Sequence, residues 1–357
     1  MAAERLLLGT SHGVVIVRTR DNGVNWRLET KALKDQRISS GGLVVHPGNR
    51  NIVYAGTRGG GVFRSSDGGI TWEERSKGLT RRHLRCLTMD PRRPEVLYAG
   101  TGPVGLFITR DEGNSWQEME GVTKLGETRE WPYPATVIDP HVRSILPDPS
   151  NPKVIFASIQ IGGVIWSDDE GKTWTDSVEG IDPDVHWLDL NPQTSEIYAT
   201  TGGGAHWTYP ASPQPHWGKA VYKSIDRGRT WTSLTDHLPW DYGEPIRHHP
   251  ADGALLYVGV ARGVPTEWNR PTGAEGSLLR TADRGKTWQH LTGGLPDLLY
   301  DPIGDLTFDP ADPETMFMAT GRGDAGWGQV FVSRDRGTTW RHLIFTASVS
   351  ALACGPS

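Results

Sequence analysis

Two cysteines in 357 residues, Cys86 and Cys354, are too few for a disulfide framework, which excludes the small stapled scaffolds. No apolar run approaches the roughly 20 residues that a membrane-spanning helix needs. Nor does one sign of charge dominate: 37 Lys and Arg stand against 42 Asp and Glu, a formal balance of −5. That balance supplies no electrostatic footprint for nucleic acid or an anionic membrane, and neither is expected as a partner. The long apolar segment of a secretory signal is missing as well, because Met1-Ala2-Ala3-Glu4-Arg5 runs straight into Leu6-Leu7-Leu8. The expected location is the cytoplasm, with a trimmed secreted form as the alternative. What the chain has in quantity is punctuation. Its 44 glycines and 25 prolines are spread along the whole length and describe many short strands joined by turns.

The punctuation is periodic. A Ser or Thr is followed two residues on by Asp, two further by Gly, and a Trp stands five after the Asp. The copies are Thr19-Asp21-Gly23-Trp26, Ser65-Asp67-Gly69-Trp72, Thr109-Asp111-Gly113-Trp116 and Ser167-Asp169-Gly171-Trp174. They continue as Ser224-Asp226-Gly228-Trp231, Thr281-Asp283-Gly285-Trp288 and Ser333-Asp335-Gly337-Trp340. The motif resembles the Asp box of sialidases, xyloglucanases, sortilin-type receptors and photosystem-assembly propellers, and the resemblance covers essentially the whole chain. Physically it is a hairpin turn, in which carboxylate and hydroxyl satisfy turn amides and Gly takes the positive φ. An Asp present in every copy serves the scaffold, so these residues are not site candidates.

Ahead of each box an apolar strand ends in Pro, and an aromatic residue with small neighbours follows about seven positions later, as in Leu43-Val44-Val45-His46-Pro47 with Tyr54-Ala55-Gly56-Thr57. Each repeat thus offers four strands: A ending at the Pro, B at the aromatic, C before the box and D after it. Seven such units at 44 to 58 residue intervals predict an all-β, seven-bladed propeller of four-stranded antiparallel blades, one domain over residues 1–357. The chain opens on a strand B and closes on Ala351-Leu352-Ala353-Cys354-Gly355-Pro356, which aligns as an orphan strand A. The last strand is therefore expected to complete the first blade and leave no open sheet edge. Sialidases have six blades, so the count departs from theirs.

In this geometry the boxes occupy one face, and the D–A and B–C connections occupy the other. The irregular sequence lies in the second set, where binding usually resides. The loop 120–140 contains Trp131 and Tyr133; 201–220 contains His206 and Trp207; 261–277 contains Arg262 and Trp268; 320–329 contains Arg322 and Trp327. These, with Trp187 at a strand start, are candidate ligand contacts; packing of long loops is the alternative role for their rings. When the A strands are aligned on their Pro, the position six before it reads Gly41, Arg85, Arg143, His186, Glu244, Gly304 and Ser350. Eight before it stand Ser39, His83, His141, Asp184, Tyr242, Pro302 and Ser348. Four consecutive blades thus bring ionisable groups to the channel mouth, which marks a candidate site, with a salt-bridge ring between blades as the alternative.

Three chemistries fit this set. Arg58, Arg85 and Arg143 offer guanidinium forks for a carboxylate, while Glu244, His186, His141, His83, Tyr242 and Asp184 are candidates for proton transfer. That inventory suits a glycosyl hydrolase or a lyase acting on a carbohydrate or related anionic metabolite, with no cofactor and a monomeric chain. The second is a divalent metal held by His83, His141 and His186; the arginines oppose it and no local ligand-spacing motif exists. The third is a non-catalytic binding or assembly propeller. The sialidase resemblance does not extend to an Arg-Ile-Pro-like segment near the N-terminus, which this chain lacks, so sialic acid is not implied.

Overall fold

A computed structural model describes residues 4–21, 23–129, 140–191, 193–203, 218–321 and 326–356. Within them the chain forms seven four-stranded antiparallel sheets, each ordered from an inner strand A to an outer strand D. The inner strands, from blade 1 to blade 7, are Val349–Cys354, Ile38–Val45, Leu84–Asp90, His141–Pro147, Val185–Leu190, Tyr242–His249 and Ile303–Asp309. The expected closure is present. Val349–Cys354 pairs antiparallel with Arg5–Thr10, setting Leu6 opposite Cys354, Leu8 opposite Leu352 and Thr10 opposite Val349. The core lies between blades: Leu6, Leu8, Val15 and Val17 of blade 1 pack on Phe317, Ala319, Val330 and Val332 of blade 7. Burying each such Val, Leu or Phe contributes about 1.5–3 kcal/mol.

The seven turns show why Ser/Thr, Asp and Gly recur. In the first, the Thr19 hydroxyl donates to Asp21 Oδ1 at 2.7 Å and accepts the Gly23 amide at 3.0 Å, while Asp21 accepts the Asn25 amide at 2.8 Å. Gly23 has φ +77°, as its counterparts do with similar values. The Trp stands one residue ahead of each outer strand, and in five blades its indole donates to the Gly carbonyl three residues back at 2.7–3.2 Å. The amide of Asn25 and the hydroxyl of Thr19 hold Asp21 down to about 2. The hydroxyl and amide of Thr287 do the same for Asp283, also to about 2. In the other five, slight burial resists the shift, but the same kinds of donor outweigh it and lower each carboxyl. Because these folded values lie below the ordinary 3.8, the stability they contribute is complete above about pH 4 and lost as pH falls toward 2. Thermal melts between pH 5 and 2 are expected to show the midpoint falling in that window. A flat midpoint would show that the turns carry none of the stability.

Two elements depart from the repeat. The connection after blade 3 is not wholly irregular: Glu120–Arg129 is an α-helix, drawn in because Met119 and Val122 bury themselves among Val142, Ile159 and Ile165 of blade 4. The outer hairpin of blade 7, Trp327–Ser333 with Arg341–Ala347, is also long; the outer strands of blades 2, 3, 5 and 6 have only two residues. The run Leu343-Ile344-Phe345-Thr346 favours extension there.

Candidate functional site at the channel mouth

Of the strand-start positions, Arg85, Arg143, Tyr242, Glu244, Pro302, Gly304 and Ser350 line one cavity, whereas His83, His141, Asp184 and His186 do not. A cavity of about 340 Å³ at the mouth is lined by Arg58, Arg85, Arg143, Tyr242, Glu244 and Trp268, with Ser40, Pro265, Asn269, Pro302, Gly304, Gly321, Val349 and Ser350. Somewhat larger clefts exist elsewhere; one of about 410 Å³ lies at the outer rim of blade 1. There Arg18 is paired with Glu4 and Glu29, and the cleft does not reach the channel.

Glu244 is the pivot. Arg143 Nη2 lies 3.5 Å from its Oε2, and His186 Nδ1 lies 3.8 Å from its Oε1. The Tyr242 hydroxyl is hydrogen-bonded to it; burial first, and then the Glu244 charge, push that phenol well above its usual range. Tyr242 is wedged edge-on between the rings of His186 at 4.9 Å and Trp268 at 5.0 Å. The Trp268 indole is itself tied to the carbonyls of Arg262 and Gly263 at 3.1 and 3.2 Å, so this wall is rigid.

On the opposite side stand the guanidiniums. Burial, then the charges of Arg85, Arg37 and Arg143, push Arg58 downward, with Glu244 opposing. A guanidinium keeps its proton even so, and the shift reflects its burial first and the neighbouring guanidiniums second. Arg85 Nη2 contacts His141 Nε2 at 2.6 Å. Since a guanidinium only donates, His141 must accept through Nε2 and is neutral. His141 therefore aims Arg85. His83 is exposed, and partial desolvation with the charges of Arg85, Arg58 and Arg37 pushes its imidazole down.

Asp184 and His186 lie beneath the cavity and do not line it; they are 2% and 0% exposed. The His186 Nδ1–H donates to the Gly243 carbonyl at 2.8 Å, and Nε2 stands 3.5 Å from Asp184 Oδ1. Both ring nitrogens thus face oxygen acceptors. A Cβ on Gly202 would fall 2.2 Å from Asp184 Oδ2 and 2.6 Å from His186 Nε2, so only glycine lets this pair close up. Of the charged groups at this level, Arg143 approaches Glu244, Asp184 stands beside His186, and Arg85 contacts His141. Among the described residues no group of three His, Cys, Asp or Glu is arranged to hold a metal ion.

The other candidates divide. Trp187 does not line the cavity. It reaches across the channel from blade 5 to blade 2, where a Cβ on Gly41 would stand 2.8 Å from its Cη2, and Arg247 stacks on it at 4.5 Å. Arg262 is paired with Glu275 at 2.9 Å, away from the cavity. Trp327 is 77% exposed at the top of blade 7. His206, Trp207 and Arg322, with Trp131 and Tyr133, lie outside the described residues. Ser40 and Asn269 line the cavity without having been singled out, because a hydroxyl and an amide in loop sequence carry no periodic signal.

No protein-family model matches the sequence. A xyloglucanase of Hypocrea jecorina (strain QM6a) is 24% identical over 340 residues, which is 93% of this chain and 29% of that protein. The chain resembles the xyloglucanases. Among solved structures, the GH74 enzyme of Niastella koreensis superposes with a TM-score of 0.62 at 20% identity, over 85% of this chain and 45% of that one. A putative 6-phosphogluconolactonase from Bacteroides uniformis gives 0.63 at 14% identity, over 99% of each chain. At these identities the structural likeness shows the propeller fold. The chain spans less than a third of the length of the xyloglucanase it matches, so its chemistry rests on its own site.

Proposed function

We propose that this propeller is a carbohydrate-acting enzyme of glycosyl-hydrolase-like type, which binds a sugar carrying a carboxylate in the channel-mouth cavity. The observation that carries this is one carboxylate, Glu244, bonded to Tyr242 and set among Arg58, Arg85 and Arg143 in a cavity of about 340 Å³, a volume suited to a small polar ligand. Among the described lining residues three guanidiniums accompany one carboxylate, and their planar donor forks are suited to a carboxylate on the ligand. Glu244 and Tyr242 transfer protons at the bond being cleaved, His186 and Asp184 orient Glu244 from below, and His141 orients Arg85. The likeness to xyloglucanases supports the carbohydrate class.

One observation favours a second reading of the reaction. Among the described residues Glu244 is the only carboxylate lining the cavity, whereas hydrolysis generally uses two across the bond. A lyase needs one base to take the proton from the carbon beside the sugar carboxylate, cations to neutralise that carboxylate, and an acid such as Tyr242 to protonate the glycosidic oxygen as its C–O bond breaks. Products separate the two: elimination leaves a conjugated double bond with new ultraviolet absorbance, and hydrolysis leaves reducing ends without it.

Binding tests the site first. Arg143→Gln and Arg85→Gln are each expected to weaken binding of galacturonic acid about 10- to 100-fold, the worth of a charge-assisted hydrogen bond, with little effect on glucose. Equal titration curves for wild type and both variants by calorimetry would remove the arginines from the site.

A further inference from the structure

Beneath the cavity lie three polar atoms that the chemistry of the mouth does not use. Gln160 Oε1, Asp184 Oδ1 and His186 Nε2 are buried without a hydrogen-bond partner among the described residues. Their side chains belong to residues only 8, 2 and 0% exposed, where an unmet polar atom is costly. The three are gathered at one place. Gln160 of blade 4 and Asp184 of blade 5 form an antiparallel bridge, and bridged residues project to the same side. Two residues along, His186 brings its Nε2 to 3.5 Å from Asp184 Oδ1.

All three atoms present lone pairs. His186 spends its Nδ1–H on the Gly243 carbonyl at 2.8 Å, which leaves Nε2 to face Asp184. A proton shared between that nitrogen and the carboxylate would draw them to about 2.7–3.2 Å. Two ligands each about 2.1 Å from one tetrahedral ion stand about 3.4 Å apart, which matches the observed 3.5 Å. Backbone bonds hold the arrangement. The Asp184 amide donates to Asp182 Oδ1 at 3.0 Å, and the Gly202 amide donates to the Asp184 carbonyl at 2.8 Å. Gly202 also keeps the spot clear, since a Cβ there would stand 2.2 Å from Asp184 Oδ2 and 2.6 Å from His186 Nε2.

We propose that Asp184, His186 and Gln160 bind a divalent transition-metal ion of the zinc class. One imidazole with two oxygens suits such an ion, whereas calcium and magnesium favour oxygen alone. A ring whose other nitrogen is tied to a backbone carbonyl is the usual form of a metal-ligating histidine. The set is not the three histidines that the sequence offered: Arg85 occupies His141 Nε2, and His83 is exposed. Its third donor is an amide, which gives no ligand-spacing signal. The ion lies across the His186 ring from Glu244, so its binding is independent of the ligand that the cavity takes.

Calorimetry with zinc chloride on the full chain, stripped of metal by chelation, tests this. One ion per chain is expected. Asp184→Asn and His186→Asn are each expected to weaken binding at least about 100-fold, and His83→Ala to leave it unchanged. Gln160→Glu replaces a neutral oxygen with a charged one and is expected to tighten binding about tenfold, a gain that misfolding cannot produce. With cobalt as the probe, wild type should show the visible absorption of a tetrahedral site and Asp184→Asn should lose it. No zinc uptake by wild type overturns the proposal, as does binding that His83→Ala removes or that Asp184→Asn and His186→Asn retain. If Gln160→Glu lowers both the affinity and the melting midpoint, the amide serves Asp184 as a donor and the ligand set falls.

Discussion

Deleting residues 349–357 is expected to abolish folding. The strand Val349–Cys354 is the inner strand of blade 1 and makes five ladder pairs with Arg5–Thr10. It also lies between two neighbouring blades, with Ala351 and Ala353 packed toward Leu43 and Val53 on one side and Val349 and Leu352 toward Phe317 and Val330 on the other. Removing Val349 and Leu352 alone forfeits about 3–6 kcal/mol of burial. The deletion also exposes Leu6, Leu8 and Ala319 and leaves the inner strand's ladder open. The Leu352 amide, which donates to Asp305 Oδ2 at 2.8 Å, disappears too. Burial already raises the Asp305 carboxyl against Arg247 and two backbone amides, and losing one of them leaves a buried acceptor unmet. The sum reaches the whole stability of an ordinary domain, about 5–15 kcal/mol. Near-ultraviolet circular dichroism should show no fixed aromatic environment in the truncated chain. Leu352→Ala, by contrast, should fold at a cost of about 2–4 kcal/mol. A truncated protein that melts like wild type would mean that the ring does not depend on this closure.

The second large effect concerns Glu244. Glu244→Gln keeps the shape and still accepts from Tyr242, but it cannot take a proton or balance Arg143. On a substrate that the wild type turns over, kcat is expected to fall about 10²- to 10⁴-fold, the usual worth of a general acid or base. Affinity for the acidic sugar should rise, because a negative charge beside the guanidiniums has gone. That split, slower turnover with tighter binding, separates a proton-transfer role from a structural one, which would weaken both together. His186→Asn should lower kcat less and shift the pH profile, since it acts only through Glu244. Full activity in Glu244→Gln would place the chemistry elsewhere.

Legibility in the sequence followed how local the physics is. The turn needs a hydroxyl, a carboxylate and a glycine within five residues, so each copy announces itself, and seven copies count the blades. Alignment on the strand-ending Pro found Arg85, Arg143 and Glu244 because the same register repeats in every blade. It could not tell which side chains at that level face the cavity. Asp184 and His186 occupy the positions that Tyr242 and Glu244 occupy one blade on, yet the glycine at 202 lets the first pair sink below the mouth. Nor could it find the helix at 120–129, whose only signal is a pair of apolar residues waiting for blade 4.

The order of strands, the number of blades and the identity of the closing strand were settled by the chain's own repeats, since hydrogen-bonded turns and period-two burial act between near neighbours. Which groups meet across the ring was decided only by folding. Trp187 touching the space above Gly41 and Arg85 locked to His141 each join residues from different blades. Their encounters depend on the radius and tilt of the closed ring, quantities that no single repeat encodes.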